Sequence, residues 1–147
     1  MSTEQPPDPA RTYAVRAVTT EAGVSEIRTK QSVVRFDSSP TQGAELPGPA
    51  DLLTSAFAAC IIKNVERMGE ILPFSYESAT VDVIAERQDR PPKMTRITYE
   101  LTVVTDEPDR RVELPHRNIQ RHGTIFNTLA EVCEVSGTIT ATAPSRQ

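Results

Sequence analysis

Two cysteines, Cys60 and Cys133, are the residues of this 147-residue chain whose chemistry is most distinctive. A cysteine is either a small apolar packing residue or, as the thiolate, a nucleophile that oxidises and exchanges with disulfides. Cys60 ends the string LLTSAFAAC and is followed by Lys63, Asn64 and Arg67 at i+3, i+4 and i+7, which share its side of a helix. A cation on that side favours thiolate, the reactive form. Cys133 stands in VCEVSG, where it reads equally well as a packed residue at a helix end or as a second thiol. Their separation of 73 positions does not report a distance in the fold, so composition and spacing assign no pair. With no second CxxC or CxxH, they are too few for a disulfide scaffold or a structural zinc site. His116 and His122, in HRNIQRHG, are six residues apart and do not share a helix face. They therefore make no metal pair, and with Arg117 and Arg121 they read as a solvated basic face.

The element that must carry Cys60 begins after a breaker-rich loop. Ser38 to Pro49 holds Pro40, Gly43, Pro47, Gly48 and Pro49, a composition that excludes regular structure. Pro49 then suits a first helical turn and Asp51 puts a negative charge near the helix N-terminus. The following residues are apolar or small almost all round, which predicts a helix from about Pro49 to Met68 buried on every face. Gly69 is its expected stop, with Pro73 beyond.

Around this helix the pattern is that of strands. Tyr13 to Asp37 is rich in β-branched residues and has a turn at Glu21-Ala22-Gly23, predicting two or three antiparallel strands. Ser78 to Arg87 and Arg96 to Thr105 alternate apolar and polar residues, with Gln88 to Met94 as the connecting loop. One or two short helices follow, with Pro115 in a first turn and Gly123 as a break, and a last strand runs from Gly137 to Ala143. The expected class is α+β. Residues 1–11, rich in Pro, read as a mobile tail, and residues 12–147 as one domain.

Composition narrows the partners. A net charge of −4 argues against non-specific nucleic-acid binding, which needs a basic face. No run approaches the roughly 18 apolar residues of a membrane helix, and MSTEQPPDPA lacks the basic and apolar regions of a secretory signal, so the expected location is the cytoplasm. Hydrophobic residues make up 37% of the chain, a modest share that suggests apolar surface buried against a second subunit or an unfolded tail.

PGPADLLTSAFAAC resembles the OsmC/Ohr segment in which a Pro-containing loop enters a long central helix carrying a peroxidatic cysteine, and VCEVSG resembles that family's second cysteine motif. The order of elements from about Tyr13 to Ala143 is similar as well. The resemblance implies an intertwined homodimer, with curved antiparallel sheets wrapped round two buried central helices and the active sites at the subunit boundary. It implies a thiol peroxidase for organic hydroperoxides, with Cys60 attacking, Cys133 resolving, a dithiol such as a lipoyl group as reductant, and neither metal nor cofactor. In the family an Arg oriented by a Glu supports the thiolate. Arg35, in the RFD string, resembles that Arg, with Arg16 and Arg28 as rivals. Where the Glu usually stands this chain has Ala50. Asp51, one residue later, is the candidate acid, and Glu45 in the loop a possible substitute. Phe57, one turn before Cys60, reads as core or as the wall of an apolar peroxide pocket. The competing reading is a non-catalytic protein of the same fold, holding a small apolar or acyl ligand in the dimer cleft. A thiol enzyme acting on another electrophile is a further alternative.

Overall fold

The computed structural model describes residues 6, 8–41, 43–72 and 74–145. Residues 1–5 and 7 of the expected tail, and Pro73, lie outside the described residues. The tail residues that are described include a single 3₁₀ turn, Pro9–Arg11, whose first orphan donor is met by the Asp8 side chain accepting from Ala10 N at 2.9 Å. Pro at the start of such a turn forfeits no hydrogen bond, which is how a Pro-rich segment still forms one.

The chain forms two compact units, residues 1–52 and 53–147. The first is a three-stranded antiparallel meander of β1 (Arg16–Glu21), β2 (Val24–Thr29) and β3 (Ser32–Asp37). Gly23, at φ +79°, supplies the left-handed residue that the β1–β2 turn requires. The breaker-rich segment after β3 is tied down by one carboxylate. Asp37 accepts from Ser39 N at 2.9 Å and Gly43 N at 2.7 Å as well as from the Ser39 hydroxyl. These bonds, the Ser39 hydroxyl foremost, hold the Asp37 carboxyl below its ordinary range.

The second unit carries the rest of α1 (Pro49–Ile71), a three-stranded sheet of β4 (Ser78–Asp89), β5 (Pro92–Val104) and β6 (Glu134–Thr142), and the helices α2 (Asp109–His122) and α3 (Thr124–Ala130). The α+β class stands. The sheet is mixed, however, because β6 pairs with β5 in parallel. A hairpin reverses the chain between β4 and β5, whereas the α2–α3 crossover returns it running the same way. Alternation holds as expected: Ile97, Tyr99, Leu101 and Val103 of β5 are buried, and Ala79, Val81, Val83 and Ala85 of β4 pack against the same core.

The following readings differ from expectation, each for a physical reason. The β4–β5 loop shrinks to a tight turn at Arg90–Pro91, since Pro92 can open a strand without owing a hydrogen bond and Asp89 pairs with it. Helix α1 continues two residues past Gly69, to Ile71, because one internal Gly costs only about 1 kcal/mol and Leu72 N still reaches Met68 O at 3.0 Å. Pro115 lies inside α2 rather than in its first turn. It is fully buried, and that apolar burial offsets the bond its ring forgoes. Finally, α1 is not buried all round in the single chain. Phe57, Ile61, Asn64, Val65 and Met68 form one buried stripe, and Leu53 is 38% exposed. The core that this stripe meets comprises β5, Val112 and Ile119 of α2, Phe126 and Leu129 of α3, and Cys133.

Candidate active site

Cys60 lies on α1 three residues after Phe57 and four before Asn64, so all three share one side of the helix. Phe57 is fully buried, its ring stacked on Phe126 at 5.6 Å between centroids and tilted against Tyr99 at 5.9 Å. It anchors the helix in the core. Cys60 itself is half-buried and its thiol is free. The sulfur rests against the backbone where α2 gives way to α3: a Cβ added to Gly123 would stand 3.3 Å from Sγ, 2.8 Å from Ile119 O and 3.0 Å from Phe126 Cβ. Glycine at this break thus lets the backbone come close to the thiol.

The sulfur also has a hydrogen-bond donor. The Asn64 amide nitrogen lies 2.8 Å from Cys60 O and 3.6 Å from Cys60 Sγ. Lys63 and Arg67, the cations expected to face the thiol, are exposed. Sequence reasoning noted Asn64 only as a neighbour, because a mid-helix Asn is usually read as a weak helix former; its burial is what marks it.

Cys133 follows α3 in a turn that hands the chain to β6, with its N–H donating to Leu129 O at 2.8 Å. It is buried among core side chains, its thiol free and donating to Met94 O at 3.5 Å.

The acidic and cationic candidates make their contacts elsewhere. Gly48 O accepts from Leu52 N at 3.0 Å, and Asp51 accepts from Gly48 N at 2.9 Å. Asp51 thus reaches back over the first turn as the third residue of a capping box does. Arg35 on β3 lies 3.9 Å from Glu21 within the first unit and is 59% exposed. Arg28 pairs with Glu26 at 3.1 Å, and Arg16 and Glu45 are exposed.

His116 departs from the expected solvated face. It falls on the stripe of α2 that buries Val112, Pro115 and Ile119, and its side chain is 13% exposed. Its Nε2 lies 2.7 Å from the Tyr99 hydroxyl, and the rings meet edge to face at 5.8 Å. Burial pushes the Tyr99 hydroxyl's pKa up, against a smaller opposing pull from Gln120. This pair braces the aromatic cluster on which Phe57 rests. Among the described residues no cluster of His, Cys, Asp and Glu could hold a metal ion, and no helix is long and apolar enough to cross a membrane.

Comparison with solved structures returns the same architecture. An OsmC-like protein from Mycoplasma pneumoniae superposes with a TM-score of 0.80 at 17% identity, covering 90% of this chain and 98% of that one. An organic hydroperoxide resistance protein OsmC from Legionella pneumophila gives 0.69 at 12% identity, covering 87% and 97%. The organic hydroperoxide resistance protein OhrB of Bacillus subtilis gives 0.63 at 12%, covering 87% and 98%. At such identities the likeness establishes the fold. No curated protein matches the chain in sequence. The family model described as OsmC-like protein matches residues 41–137, a span that holds α1 with Cys60, the helices that flank its sulfur and Cys133, and the chain belongs to that family.

Proposed function

We propose that this protein is a thiol-dependent peroxidase that reduces organic hydroperoxides. The observation that carries the reading is the half-buried Cys60 thiol on α1, flanked by an amide donor and a close glycine backbone. Membership of a family whose solved members include organic hydroperoxide resistance proteins supports it.

The Cys60 thiolate attacks the distal oxygen of the hydroperoxide. An S–O bond forms as the O–O bond breaks, and the leaving alkoxide takes a proton from solvent to become the alcohol. Cys60 is then a sulfenic acid. The Cys133 thiol condenses with it, releasing water and forming a disulfide, which a dithiol reductant of the lipoyl type reduces by exchange. Cys133 is buried and its thiol is free. Arg35 and Asp51 are proposed as the charged support of the thiolate, acting in the assembled dimer, and Phe57 as the apolar floor of the substrate pocket. The chemistry needs no cofactor, and free thiols suit a reducing compartment such as the cytoplasm.

The assembly proposed is an intertwined homodimer of one domain per chain, residues 12–147. The apolar face of a sheet is buried by packing another element on it, and Val33 at 57% and Val34 at 37% exposure stand open on β3, as Leu53 does on α1. A second copy would cover them.

A second reading, a non-catalytic binder of a small apolar or acyl ligand, draws on the engagement of Asp51 in the helix cap and on Ala50 before it. Steady-state assays with a dithiol reductant separate the two. The peroxidase reading expects cumene hydroperoxide to be consumed, with a kcat/KM at least about tenfold above that for hydrogen peroxide, since an apolar pocket rewards apolar bulk by roughly 1–3 kcal/mol. Faster turnover of hydrogen peroxide contradicts the substrate class, and no turnover of either favours the binder.

A further inference from the structure

Asn64 is a polar side chain that the fold has buried against the reacting sulfur. Its residue is 7% exposed, on a stripe of α1 otherwise made of Phe57, Ile61, Val65 and Met68. An apolar residue at this position would pack without the cost of desolvating an amide. The amide nitrogen has two N–H groups. One is taken by Cys60 O at 2.8 Å, and this bond fixes which end of the amide faces Cys60, because the amide oxygen there would oppose one acceptor with another. The second N–H is left for Sγ, at 3.6 Å. Gly123, close to the sulfur, presents no side chain, so no side chain of that residue competes for the thiol.

A donor aimed at a sulfur favours the thiolate over the thiol, since the charged acceptor binds the proton more strongly. The charged and titratable residues nearest in sequence, Lys63 and Arg67 on α1 and His122 beside Gly123, are all exposed. Gly123, the residue at the α2–α3 break that comes close to the sulfur, carries no charge. Asn64 is thus the buried donor to the sulfur among the described residues.

We propose that Asn64 is a catalytic residue of the Cys60 reaction, donating a hydrogen bond from its amide to the Cys60 thiolate and holding the sulfur in position for attack. This deepens the peroxidase reading and rests on it.

The test is alkylation of Cys60 by iodoacetamide, followed from about pH 5 to about pH 9 in the full chain carrying Cys133→Ser, with Asn64→Leu and Asn64→Asp added separately. Circular dichroism and thermal unfolding establish that each variant is folded. Asn64→Leu is expected to move the pH profile of alkylation about one unit towards alkaline and to slow the neutral-pH rate about tenfold. Asn64→Asp, which matches Asn in shape, is expected to move it further, because a carboxylate repels the thiolate. It carries the test alone if the Leu variant fails to fold. Profiles of folded variants that superimpose on the parent's overturn the proposal. Because alkylation uses no peroxide, the two readings fail separately. A parent inert to hydroperoxides whose profiles still separate overturns the peroxidase reading and upholds Asn64 as the thiolate's donor.

Discussion

Replacing Cys60 with Ser is expected to cut hydroperoxide turnover about a thousandfold or more while leaving the fold in place. Chemistry fixes the size of the loss: a hydroxyl is far less ionised than a thiol near neutrality and is a poor nucleophile towards peroxide oxygen, and removing a covalent nucleophile commonly costs three orders of magnitude or more. The structure fixes the second half of the expectation. Cys60 stands outside the main apolar core, and Ser retains the backbone carbonyl to which Asn64 donates. Melting temperature should therefore stay near that of the parent. Cys133→Ser should behave differently, completing a first turnover and then losing activity as the unresolved sulfenic acid oxidises further. Turnover that survives Cys60→Ser in a folded protein contradicts the assignment.

Gly137→Ala is expected to destabilise the second unit by about 3 kcal/mol, lowering the melting temperature by roughly 6–12 °C. Gly137 on β6 pairs directly with Tyr99 on β5, and the Tyr99 ring lies across the glycine so closely that a Cβ there would overlap the ring carbons. Aromatic cover of a strand glycine is a known means of pinning register. The ring has little room to yield. Tyr99 is 2% exposed, its hydroxyl is held by His116, and Phe57 and Phe126 hem the ring at 5.9 and 6.1 Å. Accommodating even a methyl group must therefore move β6 or disturb the cluster that seats α1. Calorimetry of the single variant, of Tyr99→Leu and of the pair checks the mechanism, because the two changes should be strongly non-additive if the ring is the obstacle. A single variant within about 0.5 kcal/mol of the parent rules the overlap out as a constraint.

Much of the architecture is legible in the sequence, and the reason is periodicity. The alternation of Ile97, Tyr99, Leu101 and Val103 reports burial directly, and the apolar run before Cys60 marks the helix although not which of its faces is buried. Boundaries were less legible where Gly was read as a stop or Pro as a first-turn residue. Gly69 and Pro115 sit inside helices because a single breaker is outweighed by packing on either side. The parallel partner of β5 was hidden as well, since strand direction depends on a crossover that local pattern does not encode. At the site, the two cysteines were conspicuous by type. Asn64 and Gly123 were not, because their importance comes from burial and close approach to one sulfur. His116 was misread as solvated although Val112, Pro115 and Ile119 share its helix face, a pattern that the run of charged neighbours obscured.

The central claim is that Cys60 takes an oxygen atom from a hydroperoxide and Cys133 resolves the product. Intact mass after one stoichiometric pulse of cumene hydroperoxide, measured on the reduced parent chain and on Cys133→Ser, tests it most directly. The account predicts that the parent loses two hydrogens as the disulfide forms, while Cys133→Ser gains oxygen on Cys60. A parent chain whose mass is unchanged, with both thiols still free to react, would contradict it.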